Sequence, residues 1–205
     1  MKYIFIIGAP GSKWSSVAKN IYYSSTIDRT DDNSNRSYAS SVAYNGAPMH
    51  QGSYFDPGME FDLPLDIHMQ TQAELESIFD QPFSGTGIRI IKGHTLAHHI
   101  DYIKDVWPDS PIILVHRSND ACLGWWVRCG GFDITYPNYL PYYQNYTRMA
   151  HCIDRQNMDI LTAWNKYNGK VPCNNQALAH ILRITPPPEE HFHDYNQADI
   201  EVKVI

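Results

Sequence analysis

The chain opens with Tyr3-Ile4-Phe5-Ile6-Ile7, an unbroken apolar, β-rich run that stops at Gly8-Ala9-Pro10-Gly11. Apolar residues at every position, with no alternation, suit a central parallel strand covered on both faces. From about residue 13 to 23, Trp14, Val17, Ala18, Ile21 and Tyr22 recur at helical spacing. The opening therefore reads strand, turn, helix. The apolar run is too short for a signal or membrane-spanning segment, and no later stretch approaches a span.

A chain of 205 residues can bury one sizeable core, and a single domain over 1–205 is expected. With 43% hydrophobic and 19% charged residues it is too apolar for disorder. A net charge of −6 argues against a nucleic-acid or anionic-membrane binder, while leaving room for a local positive site for a small anion. Cys122, Cys129, Cys152 and Cys173 form no CxxC pair, so reduced thiols and a cytoplasmic location are expected.

Residues 24–58 lack sustained periodicity. They read as part of an irregular insertion at about 24–70 with short strands, bordering an acceptor site. Thr71 with Glu74 predicts a capped helix over 71–79. Strands are expected at 88–92 and 111–116, and helices at 97–106, from Ser118 to about Cys129, at about 141–167 and at about 174–183. Pro186-Pro187-Pro188 stops the last helix, and a terminal strand follows. Strands alternating with helices predict an α/β fold: a three-layer sandwich around a parallel sheet with right-handed crossovers.

The turn Pro10-Gly11-Ser12-Lys13-Trp14-Ser15-Ser16 stands where such sheets place ligands, after the first strand. Small residues there let backbone N–H groups converge on an anion, and the helix N-terminus adds partial positive charge. Lys13 supplies a mobile charge; Ser15 or Ser16 offers a hydroxyl. The sequence is not a Walker A loop, since Ser12 precedes Lys13 and Trp14 follows it. A plain strand–helix turn with no ligand is the alternative. The second strand ends in Lys92-Gly93-His94 and the third in His116-Arg117, so one cleft is expected to collect all these groups.

In order and spacing, these segments resemble the sulfotransferases that use 3′-phosphoadenosine 5′-phosphosulfate (PAPS). That family's loop reads P-K-S-G-T-T-W, its next strand ends in K-T-H-L, and a third element reads I-I-Y-V-x-R-N-P-x-D-x-x-x-S. This chain offers Pro10 to Ser16, then Ile91-Lys92-Gly93-His94-Thr95-Leu96, then Ile112 to Asp120, within about 1–23 and 88–128. The family's loop lysine aligns with Gly11 and its phosphate-binding serine with Gly124. Its C-terminal R-K-G-x-x-G-D-W segment has no match. The resemblance implies a sulfotransferase-like P-loop fold and transfer of a sulfuryl group from PAPS to a small-molecule hydroxyl or amine. It implies His94 as general base, Lys92 and Lys13 as stabilisers of the sulfuryl oxygens, Arg117 on the 3′-phosphate, and no metal.

A P-loop kinase is the alternative enzyme, but it needs a magnesium-binding acid where His116-Arg117 stands. A non-catalytic nucleotide-binding protein is the third reading. Two further constellations are weighed here. His94, His98 and His99, with His191, His193 and Asp194, could hold a metal, but read better as solvated or capping side chains. Trp125, Trp126 and the tyrosines from Tyr136 to Tyr146 could line a pocket, with one tryptophan expected in the core. Glu60 and Asp62 are expected on a solvated face.

Overall fold

Strand β1 (Tyr3–Gly8) is buried along its whole length, and its side chains divide by parity between two cores. Ile4 and Ile6 face one way, towards Val17, Ala18 and Ile21 of helix α1 (Trp14–Tyr22). Tyr3, Phe5 and Ile7 face the other, towards Leu75, Phe79, Ile103 and Ile160. Full burial of each such side chain is worth roughly 1.5–3 kcal/mol. That is why this run tolerates no polar position.

In the computed structural model, residues 1–33, 51–56, 61–133, 140–191 and 199–205 are described, with backbone alone at 43–44 and 47–48. The irregular segment contributes a two-stranded antiparallel pair, β2 (Ala43–Tyr44) with β3 (Ala47–Pro48), and a short strand β4 (Ser53–Tyr54). Helix α2 (Gln72–Asp80) starts at Thr71, whose hydroxyl accepts from the Glu74 amide while the Glu74 carboxylate accepts from the Thr71 amide. This reciprocal cap is worth about 1 kcal/mol.

Strand β5 (Arg89–Lys92) leads through a 3₁₀ turn (Thr95–His99) into α3 (Ile100–Val106). Strand β6 (Ile112–Arg117) is followed by α4 (Asn119–Arg128), capped by the Ser118 hydroxyl, which accepts from the Ala121 amide. Then come α5 (Leu140–Tyr143), α6 (Tyr146–Lys166), α7 (Asn175–Leu182) and strand β7 (Ile200–Val204).

The main sheet has the order β4-β5-β1-β6-β7. Pairs β4–β5, β5–β1 and β1–β6 are parallel, but β7 runs antiparallel to β6, with Arg117 opposite Ile200. The sheet is therefore mixed, not wholly parallel as expected. Apolar patterning reports which faces are buried and carries no information on strand direction. The expected long helix is also divided: Gln144 adopts a left-handed φ of 57°, and Asn145 caps a fresh start by accepting from the Arg148 amide.

Helix α1 and α7 pack on one face of the sheet; α2, α3 and α6 pack on the other. The strand β1 thus sends its helix to one face while its neighbour β5 sends its helix to the opposite one. Connections that part in this way open a crevice at the carboxyl ends of the strands.

Candidate functional site

The turn after β1 fills that crevice. Gly11 has φ +80°, and a Cβ there would meet the Cys122 carbonyl oxygen of α4 at 1.9 Å. Position 11 therefore admits no side chain. Lys13 holds φ 62° and ψ 20° at the start of α1. For a residue with a Cβ this left-handed conformation costs about 1–2 kcal/mol, a strain typical of functional turns. Ser12 is fully buried; its hydroxyl lies over Gly8 without a hydrogen-bond partner. Pro10 and Trp14 are buried, and Ser15 and Ser16 are half-buried in the first turn of α1.

On the β5 side, His94 Nδ1 lies 2.8 Å from the Gly8 carbonyl oxygen. A carbonyl can only accept, so Nδ1 carries the proton and a neutral ring keeps its lone pair on Nε2. Burial is the main influence on this ring, and it lowers the His94 pKa. The Asp56 carboxylate and the Gly8 carbonyl act the other way, while Lys92 adds to the lowering. The ring packs edge-on between Trp14 and Tyr54, at 4.8 and 5.1 Å between centroids, and His94 is only 2% exposed. Asp56, also buried, anchors the turn: it accepts from the amides of His94 (2.6 Å) and Thr95 (2.7 Å) and from the Thr95 hydroxyl (2.6 Å). Lys92 is fully buried. Its ammonium donates to the Gln51 carbonyl and stands 5.4 Å from the Trp14 ring, directed at the β4 side and not at the loop opening.

On the β6 side, Arg117 donates through Nη1 to the Gly11 carbonyl (3.0 Å). Its Nε and Nη2 both reach Asp199 Oδ2, at 2.7 and 2.6 Å. Asn157 of α6 donates to the Arg117 carbonyl, fixing the strand end to the helix layer. Trp125 faces this corner. Lys13 Nζ lies 4.8 Å from its ring centroid, and the guanidinium carbons of Arg117 and Arg128 lie 5.9 and 5.8 Å away. Beneath the loop, Ala9 packs with Cys122, Trp126, Met149 and Ile153 in a third small core.

The structure thus brings the loop, His94 and Arg117 to one place, through the carbonyls of Gly8 and Gly11. Lys13, Arg117 and Trp125 line the α4 side; Lys92 and His94 stand behind Trp14. Gly124 lies on the exposed face of α4, and a Cβ there would meet nothing within 4 Å.

Asp56, Asp199 and Trp125 were not singled out as loop partners by sequence reasoning. Asp56 and Asp199 lie in segments without periodicity and carry no local signal. Trp125 offers one hint, its place one turn before the cation Arg128. Trp126 is the tryptophan in the core, while Trp125 is half-buried. Trp126 packs edge-on with Phe132 and Tyr146, so this end of the tyrosine stretch covers the small core. Tyr136, Tyr139, Glu60, His193 and Asp194 lie outside the described residues; Asp62 is exposed.

The histidines disperse: His98 pairs with Asp159, His99 with His68, and His191 stacks on Tyr23. Among the described residues no group of three His, Cys, Asp or Glu side chains is arranged to hold a metal ion. No helix among them is long and apolar enough to cross a membrane. A separate cleft of about 580 Å³, lined by Tyr22, Tyr23, Arg29, Thr30, Thr86 and Gly87, opens near the start of β5. It lies at the opposite ends of the strands from the loop, since Ile27 pairs with Ile88 just before β5 begins.

Comparison with known protein families, with curated proteins and with solved structures finds no match to this chain.

Proposed function

We propose that the chain is a compact cytoplasmic sulfotransferase that takes a sulfuryl group from PAPS and gives it to a hydroxyl or amine of a small-molecule acceptor. The observation that carries this reading is the double tether of one loop: Gly8 to His94, Gly11 to Arg117. A base and a guanidinium are thereby held on either side of an anion-binding turn. The orphan Ser12 hydroxyl and the strained Lys13 suit a bound oxyanion.

In the step, the acceptor oxygen or nitrogen attacks sulfur in line as the bond from sulfur to the bridging phosphate oxygen breaks. Adenosine 3′,5′-bisphosphate leaves. Nε2 of neutral His94 takes the acceptor's proton, and the Gly8 carbonyl holds the ring in the required tautomer. Lys13 and the loop amides offset the charge spreading onto the sulfuryl and leaving-group oxygens. Because Trp14 and Tyr54 enclose His94, an acceptor reaches Nε2 only when one of these rings swings aside. Free thiols at all four cysteines accord with a cytoplasmic setting.

The test is release of adenosine 3′,5′-bisphosphate from PAPS in the presence of a panel of phenols, alcohols and amines. Turnover by the wild type that drops about 10²-fold or more in His94→Ala supports the reading. Equal turnover by the two proteins removes His94 from the step. The burial of Lys92 and His94 favours one second reading, a nucleotide-binding protein without turnover. Binding of the bisphosphate with no PAPS consumption on any acceptor class would select it.

A further inference from the structure

Helix α6 ends at Lys166, and a short connection then carries the chain to Lys170 at the edge of the main sheet. Both ends of this connection are anchored. Tyr167 donates from its amide to the Ala163 carbonyl (2.9 Å) and from its hydroxyl to Asp101 (2.7 Å). Lys170 exchanges two backbone hydrogen bonds with Val204 of β7, each of 2.9 Å. Between the anchors stand Asn168 and Gly169, both exposed and outside any helix or strand. Among the described residues, neither the Asn168 side chain nor the Gly169 amide makes a hydrogen bond. Packing fixes the glycine: a Cβ at 169 would meet the Val204 carbonyl oxygen at 2.4 Å, with Ile205 and Lys203 atoms at 2.8 and 2.9 Å. The fold therefore demands glycine directly after an exposed asparagine, a chemically labile side chain. A glycine has no Cβ to shield its amide nitrogen, which can then reach the carbonyl carbon of the preceding side chain.

We propose that Asn168 is a site of spontaneous chemical modification, and that its product loosens the grip of Lys170 on the last strand. The Gly169 amide nitrogen loses its proton to solvent and attacks Cγ of Asn168. The Cγ–Nδ2 bond breaks, ammonia leaves, and a five-membered succinimide closes. Water then opens the ring at either carbonyl. One opening gives aspartate at 168; the other gives isoaspartate, in which the backbone runs through the former side chain. Isoaspartate adds one backbone carbon, about 1.5 Å of chain, to a span held at both ends. The Lys170–Val204 pair must then shift or open. This inference is independent of the sulfotransferase reading.

The test is prolonged warm incubation of the purified chain at mildly alkaline and at mildly acidic pH. Peptide mass spectrometry should find a growing fraction in which the amide at 168 has become a carboxyl, with isoaspartate separated from aspartate by chromatography. The alkaline sample should change faster, because attack needs the deprotonated nitrogen. The aged wild type should melt at least about 2–4 °C below fresh protein, and its Val204 amide should exchange hydrogen faster. Asn168→Gln, whose longer side chain would have to close a six-membered ring, should keep its melting transition through the same treatment. Fresh Asn168→Asp carries the new charge on an ordinary backbone and should melt as the wild type.

An unaltered asparagine at 168 after the alkaline incubation overturns the proposal. So does a modified wild type whose melting and Val204 exchange match those of fresh protein. Fresh Asn168→Asp melting as low as the aged wild type would assign the loss to charge, and the loosening by an extended backbone would fall.

Discussion

The Nδ1 atom of His94 stands 2.8 Å from the carbonyl oxygen of Gly8, a residue 86 positions earlier in the chain. This contact joins the carboxyl ends of the two central strands and decides which ring nitrogen of the neutral imidazole carries the proton. Burial lowers the His94 pKa below its ordinary 6.5, so the base form persists at neutral pH. Activity that depends on this base should be flat above about pH 6.5 and fall only at more acidic values.

Stability follows the same sign. Below pH 6.5 an unfolded chain protonates this histidine while the folded one resists, so the unfolded state binds more protons. The contribution is fully present above 6.5 and is lost as pH falls through the lowered folded value. His99 adds to the slope, being lowered by burial and by His68 and His98. Urea midpoints at about pH 7.5 and pH 5.5 should differ in the wild type and differ less in His94→Gln.

Asp56 accepts three hydrogen bonds from His94 and Thr95 at a buried position. Asp56→Ala leaves two amides and a hydroxyl without partners, at a cost of about 3 kcal/mol. Chemical denaturation should show that loss. It should also show a weaker pH dependence if the turn releases His94 to solvent.

The two glycines aligned with functional side chains of the sulfotransferases should respond in opposite ways. Gly11→Ala drives a Cβ into the Cys122 carbonyl at a positive φ, and thermal melting should show a loss of more than about 3 kcal/mol. Gly124→Ala occupies open space inside a helix and should add about 0.5–1 kcal/mol.

Asp199 holds the guanidinium that the proposed ligand requires. Asp199→Asn removes the competing negative charge, so adenosine 3′,5′-bisphosphate should bind more tightly than to wild type in a calorimetric titration. Weaker binding by this variant would mean that Arg117 needs its carboxylate to stay in place.

Where a signal is local, the sequence was a good guide. The unbroken run at 3–7 marked the central strand, Thr71 and Glu74 marked a cap, and Ser118 marked the start of α4. Signals that depend on distant partners were silent. Nothing near Lys92 announces that its ammonium is buried against Gln51, and nothing near Arg117 points to Asp199, 82 positions away. Trp125 and Trp126 are adjacent and alike in composition. Only the packing of α4 on α6 decides that one enters the core and the other faces the cations. The break at Gln144 was hidden because a glutamine carries no local signal for a left-handed φ. The antiparallel β7 was hidden because alternation looks the same in either direction.

The most direct measurement is titration of the purified chain with adenosine 3′,5′-bisphosphate, set against ATP with magnesium, for the wild type and Lys13→Ala. The account predicts saturable binding of the bisphosphate in preference to ATP–magnesium, and a weaker response in Lys13→Ala. Preference for ATP–magnesium, or bisphosphate affinity unchanged by removing Lys13, would contradict it.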